Sequence, residues 1–189
     1  MQAFHNDPDL KRRLLEEIRK HEEAHAVTKG LYGEAGLSLE DGFKGCAIGY
    51  ALHSLNSING AWCPTPGRID NHDRFPAELG IPVELAYHID TVFENLPDTE
   101  SHTWPRRVIE AIPVGADLDP VIPALLQWMI LAPIGGFIGI TEPRFRDTYR
   151  HFAALVDRDW KRAGSVSDAE WASIDEALAE CPAWARAWA

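Results

Sequence analysis

The stretch Val121 to Ile140, VIPALLQWMILAPIGGFIGI, decides what kind of protein this sequence encodes. Gln127 is its one strongly polar residue, and its length of roughly twenty residues is about what a bilayer requires. Pro123, Pro133, Gly135, Gly136 and Gly139 divide it, and a spanning helix broken that often leaves backbone groups without partners in lipid. The stretch therefore reads as a buried core helix, opened by Asp117 or Asp119 with Pro120 and running to about Leu131, followed by a turn. A membrane is not among the expected partners.

The same reading extends outward in both directions. Downstream, Thr141, Glu142 and Pro143 start a long helix through Phe145, Tyr149, Phe152, Leu155, Val156 and Trp160. Ser167 and Glu170 then form a capping box for a last helix with Trp171, Ile174 and Leu178 inward. Upstream, Thr99 to Ile112 reads as a helix burying Trp104, Val108 and Ile112. The stretch after Pro82 reads as another, with Leu85, Ile89, Val92, Phe93 and Leu96 on its core face and Pro97 as its stop. A helix from Phe43 to Leu55 has two faces: Ile48, Ala51, Leu52 and Leu55 pack, while Cys46, Gly49, Tyr50 and His53 are small, polar and reactive. The first helix is capped by Asn6 or Asp7, starts at Pro8, turns Leu10, Leu14, Ile18, His21 and His25 inward, and stops at Gly30.

No alternating pattern calls for a sheet. The expected fold is all-α: one domain over 1–189, a bundle of about six to eight helices, with a long irregular loop over 56–76 punctuated by Gly60, Pro64, Pro66 and Gly67. At 189 residues with 46% hydrophobic and 25% charged residues, the chain suits a single core. The net charge of −11 opposes the positive field that phosphate contacts need, which excludes nucleic acid as a partner. Three cysteines, Cys46, Cys63 and Cys181, form no disulfide framework, and no apolar signal segment follows Met1, so a reducing cytoplasm is expected.

Several groupings carry chemistry. His21-Glu22-Glu23-Ala24-His25 matches HExxH, in which two histidines one helical turn apart hold zinc and the glutamate acts as general base. No HxxGxxH extension follows, since Thr28 stands where its glycine would be. Cys46, behind Lys44 and Gly45 at a helix start, is placed for a dipole and a cation to lower its pKa, as a nucleophile requires. His53 lies seven residues on, about 10.5 Å along the axis, so the base for Cys46 has to come from another element, such as His72 in the loop or His21 and His25. Cys46, His53, Cys63 and His72 together offer a Cys2His2 zinc set, although their spacings match no compact zinc motif. Near the end of the sequence, Trp184 and Trp188 stand one helical turn apart, an anchor for a homo-oligomer.

The runs Gly45-Cys46-Ala47-Ile48-Gly49, Glu78-Leu79-Gly80-Ile81-Pro82, Val92-Phe93-Glu94-Asn95-Leu96-Pro97, Trp104-Pro105 and Ala111-Ile112-Pro113-Val114-Gly115-Ala116-Asp117-Leu118 resemble a group of bacterial and phage proteins of uncharacterised activity. The resemblance covers roughly Lys29 to Leu131 and implies weight on Cys46, His53 and the loop around His72. It departs at His25, where those proteins often carry an acidic residue, and at Tyr50, where a second cysteine often stands. Two functions follow as expectations. One is a noncatalytic binding or accessory protein that uses the 44–57 helix face and the 56–76 loop. The other is a small hydrolase, either zinc-dependent at His21, Glu22 and His25 or using Cys46 as nucleophile. Convergence of these groups in one place discriminates the two.

Overall fold

Helix α1 (Pro8–Glu23) begins where the sequence places it. The Asp7 carboxylate accepts from the backbone N–H groups of Asp9 and Leu10 at 2.8 and 3.2 Å, and Pro8 occupies the first turn. Its end differs from expectation. The helix stops at Ala24, well short of Gly30, and His25 takes up a left-handed conformation at φ 53°. The N–H of His25 donates to the Glu22 carbonyl and that of Ala26 to the His21 carbonyl, which is a Schellman closure with histidine in the glycine position. Glu22 and Glu23 at the helix C-terminus oppose its dipole, and the β-branched Val27 and Thr28 that follow pair with Gly45 instead of continuing the helix.

The computed structural model describes residues 1–30, 42–60, 72–132 and 137–181. Further helices are α2 (Ala47–Ile58), α3 (Arg74–Leu79), α4 (Val83–Asn95), α5 (Asp98–Ser101), α6 (Trp104–Ala111), α7 (Val121–Leu131), α8 (Phe137–Ile140), α9 (Arg146–Lys161) and α10 (Asp168–Ala179). The all-α expectation holds: among the described residues there is no strand, only the isolated bridges Gln2–Asp117 and Val27–Gly45. The helices of eight residues or more match the segments that periodicity picks out. The loop expected over 56–76 is narrower at both ends, because α2 runs through Ile58 and α3 starts at Arg74. No helix among the described residues is long and apolar enough to cross a membrane.

The chain separates into two compact units, Met1–Asp119 and Pro120–Ala189. In the first, α2 is central. Every residue from Ala47 to Asn56 is buried, so both of its expected faces, including Cys46, Gly49, Tyr50 and His53, lie inside. A helix apolar around most of its circumference has to be surrounded, and α1, α4 and α6 all pack on this one. Phe4, Leu14, Ile18, Leu52, Leu79 and Phe93 complete that core. In the second unit, α7 and α10 pack on α9 around Ile130, Tyr149, Leu155, Ile174 and Leu178. The capping box read from Ser167 and Glu170 is present: the Glu170 N–H donates to Ser167 Oγ, and Glu170 accepts from the Ser167 N–H.

Candidate functional site

Cys46 is the residue immediately before α2, and its backbone is extended. The chain leaving α1 fixes this start: the Gly45 N–H donates to the Ala26 carbonyl and the Thr28 N–H to the Gly45 carbonyl, both at 2.9 Å. The sulfur is thereby held inside the first unit, with the residue 1% exposed.

Across from it stands α4. Leu85, Ala86, Ile89 and Phe93 turn into the core, and Tyr87, Asp90 and Glu94 follow along one flank at i, i+3 and i+7. One sulfur of Cys46, one oxygen of Asp90 and one oxygen of Glu94 all lie within 4.8 Å of one another. Asp90 is buried, and its Oδ2 is 3.4 Å from His72 Nε2. The His72 ring, also buried, stacks on Tyr87 with centroids 4.1 Å apart and planes 18° from parallel. The strap after α1 reaches this side too. The Gly30 N–H donates to both Glu94 oxygens at 3.0 Å, and Lys29 Nζ bonds the Leu96 carbonyl and lies 3.0 Å from the Asp98 carboxylate. Residues 26–30 therefore tie the start of α2 to the end of α4.

The electrostatics reverse the expectation of an activated thiol. Burial pushes the Cys46 pKa up to about 12, and the Asp90 carboxylate adds to the rise, against the opposing pull of the Gly49 and Ile48 N–H groups. The helix terminus acts in the expected direction, but desolvation outweighs it. Lys44 is exposed. The order of groups is also wrong for nucleophile activation: the carboxylate stands next to the sulfur and the imidazole lies beyond the carboxylate, whereas a cysteine nucleophile needs the imidazole beside it. A sulfur, two carboxylates and an imidazole gathered from three elements are instead a donor set for a borderline-soft divalent metal. Ligand atoms around a tetrahedral zinc are about 3.4 to 3.8 Å apart, so a contraction of about 1 Å would bring the Cys46, Asp90 and Glu94 atoms to that spacing.

His53 belongs to a different cluster. Its Nδ1 is 2.9 Å from His21 Nε2, and His21 Nδ1 is 2.8 Å from the Glu17 carbonyl. A carbonyl only accepts, so His21 carries its proton on Nδ1 and receives a hydrogen bond from His53 Nδ1–H at Nε2. His53 stacks on Phe43 at 4.0 Å, and His21 packs near Tyr50 at 5.4 Å. His21 is fully buried, and its pKa falls to about 4, chiefly through burial, with the Glu17 carbonyl opposing and His53 adding to the fall.

The remaining sequence candidates are dispersed. His25 is exposed and off the helix, so it does not share a face with His21. Glu22 is clamped by Arg106 of α6, whose Nε lies 2.9 and 3.2 Å from its two oxygens, and Arg106 continues the network to Glu110 and Arg19. The zinc-hydrolase grouping of His21, Glu22 and His25 is thus not assembled. Of the Cys46, His53 and His72 grouping, two members reach the same carboxylate, Asp90, while His53 turns to His21. Cys63, most of the 56–76 loop, and Trp184 with Trp188 lie outside the described residues. Asp90 and Glu94 are the members that sequence reading missed. The available signal was a carboxylate beside the inward Ile89 with a second carboxylate one turn on.

Compared with known proteins, the chain matches no family model, no curated protein and no solved structure.

Proposed function

We propose that this chain is a noncatalytic binding protein whose ligand is a divalent transition metal ion, zinc being the best match, held by Cys46, Asp90 and Glu94 with His72 as the fourth donor. The observation that carries the reading is the approach of three donor atoms, from Cys46 just before α2 and from Asp90 and Glu94 of α4, to within 4.8 Å of one another, with His72 at 3.4 Å from Asp90. Donor chemistry selects the metal: a buried thiol discriminates against magnesium and calcium, which take oxygen ligands, while the carboxylates and imidazole suit zinc. Burial argues for holding over turnover, because Cys46, His72 and Asp90 are almost wholly inside, and catalytic zinc keeps a position open to water and substrate. Cys46 and Cys181 are free thiols, which suits a reducing compartment such as the cytoplasm.

The test is a zinc titration of chelator-stripped protein against a chromophoric competitor. One zinc per chain is expected, weakened about tenfold or more by Asp90→Asn and further by Cys46→Ser. Protein that takes up no zinc, or takes it up equally well after both substitutions, contradicts the reading.

A further inference from the structure

The second unit holds an open cleft of about 650 Å³ lined by Leu131 at the end of α7, Ile138 and Gly139 of α8, and Arg146 and Arg150 of α9. Its volume lies in the range of small-molecule sites, and its walls are of two kinds. Leu131 and Ile138 supply apolar surface, and Gly139 adds no side chain to fill the space. Arg146 and Arg150 stand one turn apart on the same side of α9.

The placement of these arginines is costly. They occupy the first two turns of α9, where the helix already presents positive charge and where anionic side chains are favoured. Phe145, the residue before the helix, offers no side-chain acceptor to the first N–H groups. Arg150 has a counter-charge in Asp147 at 2.7 Å, and Arg144 has one in Glu142 at 3.0 Å. Arg146 has no ion-pair partner among the described residues, and its Nε is buried without a hydrogen bond. With Nε covered by protein, the terminal nitrogens of the Arg146 guanidinium are the ones left to an acceptor that enters the pocket, where a charge-assisted pair would replace their contact with water.

We infer that this cleft binds a small anionic amphiphile, with a carboxylate or phosphate head on Arg146 and Arg150 and its apolar body along Leu131 and Ile138. A simple anion would leave the apolar wall without a purpose, and a neutral apolar ligand would leave Arg146 unmatched. The site is independent of the metal proposed for the first unit.

Isothermal titration of the full chain with octanoate, octyl phosphate, octanol and inorganic phosphate tests this. One of the two charged octyl compounds is expected to bind at one site per chain, about tenfold or more tighter than octanol and than inorganic phosphate. Arg146→Gln should weaken that binding about tenfold, and Arg146→Lys should restore part of it. Leu131→Asp, at a wall position that is 39% exposed, should abolish it and serves as the second variant if Arg146→Gln melts early. Failure of both octyl anions to bind, octanol binding as tightly as they do, or inorganic phosphate matching octyl phosphate would each overturn the inference.

Discussion

His21 Nε2 accepts from His53 Nδ1–H at 2.9 Å, so a second proton on His21 requires His53 to give up its Nδ1 proton. The folded pKa of His21, about 4, lies below its unfolded value of 6.5. The unfolded chain therefore binds more protons between these values, so the stabilisation is complete above pH 6.5 and is lost as pH falls toward 4. The loss amounts to about 3 kcal/mol. Urea unfolding at a series of pH values should show this decline, and His21→Gln should flatten it. His25 makes the opposite case. A non-glycine residue at φ 53° costs about 1 kcal/mol, so His25→Gly should raise the midpoint of unfolding and leave zinc uptake unchanged. The sequence placed both histidines on one apolar stripe. It had no means of showing that the helix closes between them, because a Schellman closure with histidine in the left-handed position lacks the glycine that usually announces it. Asp90 was hidden for a related reason: a carboxylate at the margin of an amphipathic stripe looks solvated until the helix across from it is known to bring a thiol.

Among the elements, those with strong periodicity were legible and the short ones were not. The pattern of α4, α9 and α10 survives folding because each buries one stripe. The reading of α2 as two-faced failed because both faces are apolar enough to be enclosed once α1, α4 and α6 surround it. Helix α3 was missed because Pro76 within six residues disguised it as loop. Its end is nonetheless tightly specified. Gly80 closes α3 at φ 62°, and a Cβ there would stand 2.0 Å from the Gln2 carbonyl oxygen. Gly80→Ala should therefore destabilise the first unit by about 3 kcal/mol, read as a lower urea midpoint at unchanged slope. The strap over residues 26–30 had no sequence signature, since it rests on backbone bonds to Gly45 and on Glu94 and Leu96.

At the scale of the molecule, each unit has its own core, and one binding site is proposed in each. Zinc bound at Cys46, Asp90 and Glu94 would stabilise only the folded form of Met1–Asp119, by about 2.7 kcal/mol at a free concentration one hundred times the Kd. Amide hydrogen exchange should accordingly slow at Val27–Gly30, α2 and α4 on adding zinc, and stay unchanged in α9 and α10. Uniform protection across both units would point to a different mode of binding. The acidic balance of the chain, −11 overall, favours cation uptake and opposes polyanions, and the composition revealed that much without any fold. The most direct measurement is the absorption spectrum of the chelator-stripped protein on adding cobalt. The account predicts a near-ultraviolet thiolate-to-cobalt charge-transfer band that saturates at one equivalent and disappears in Cys46→Ser. A spectrum without that band, or one that Cys46→Ser leaves intact, would contradict it.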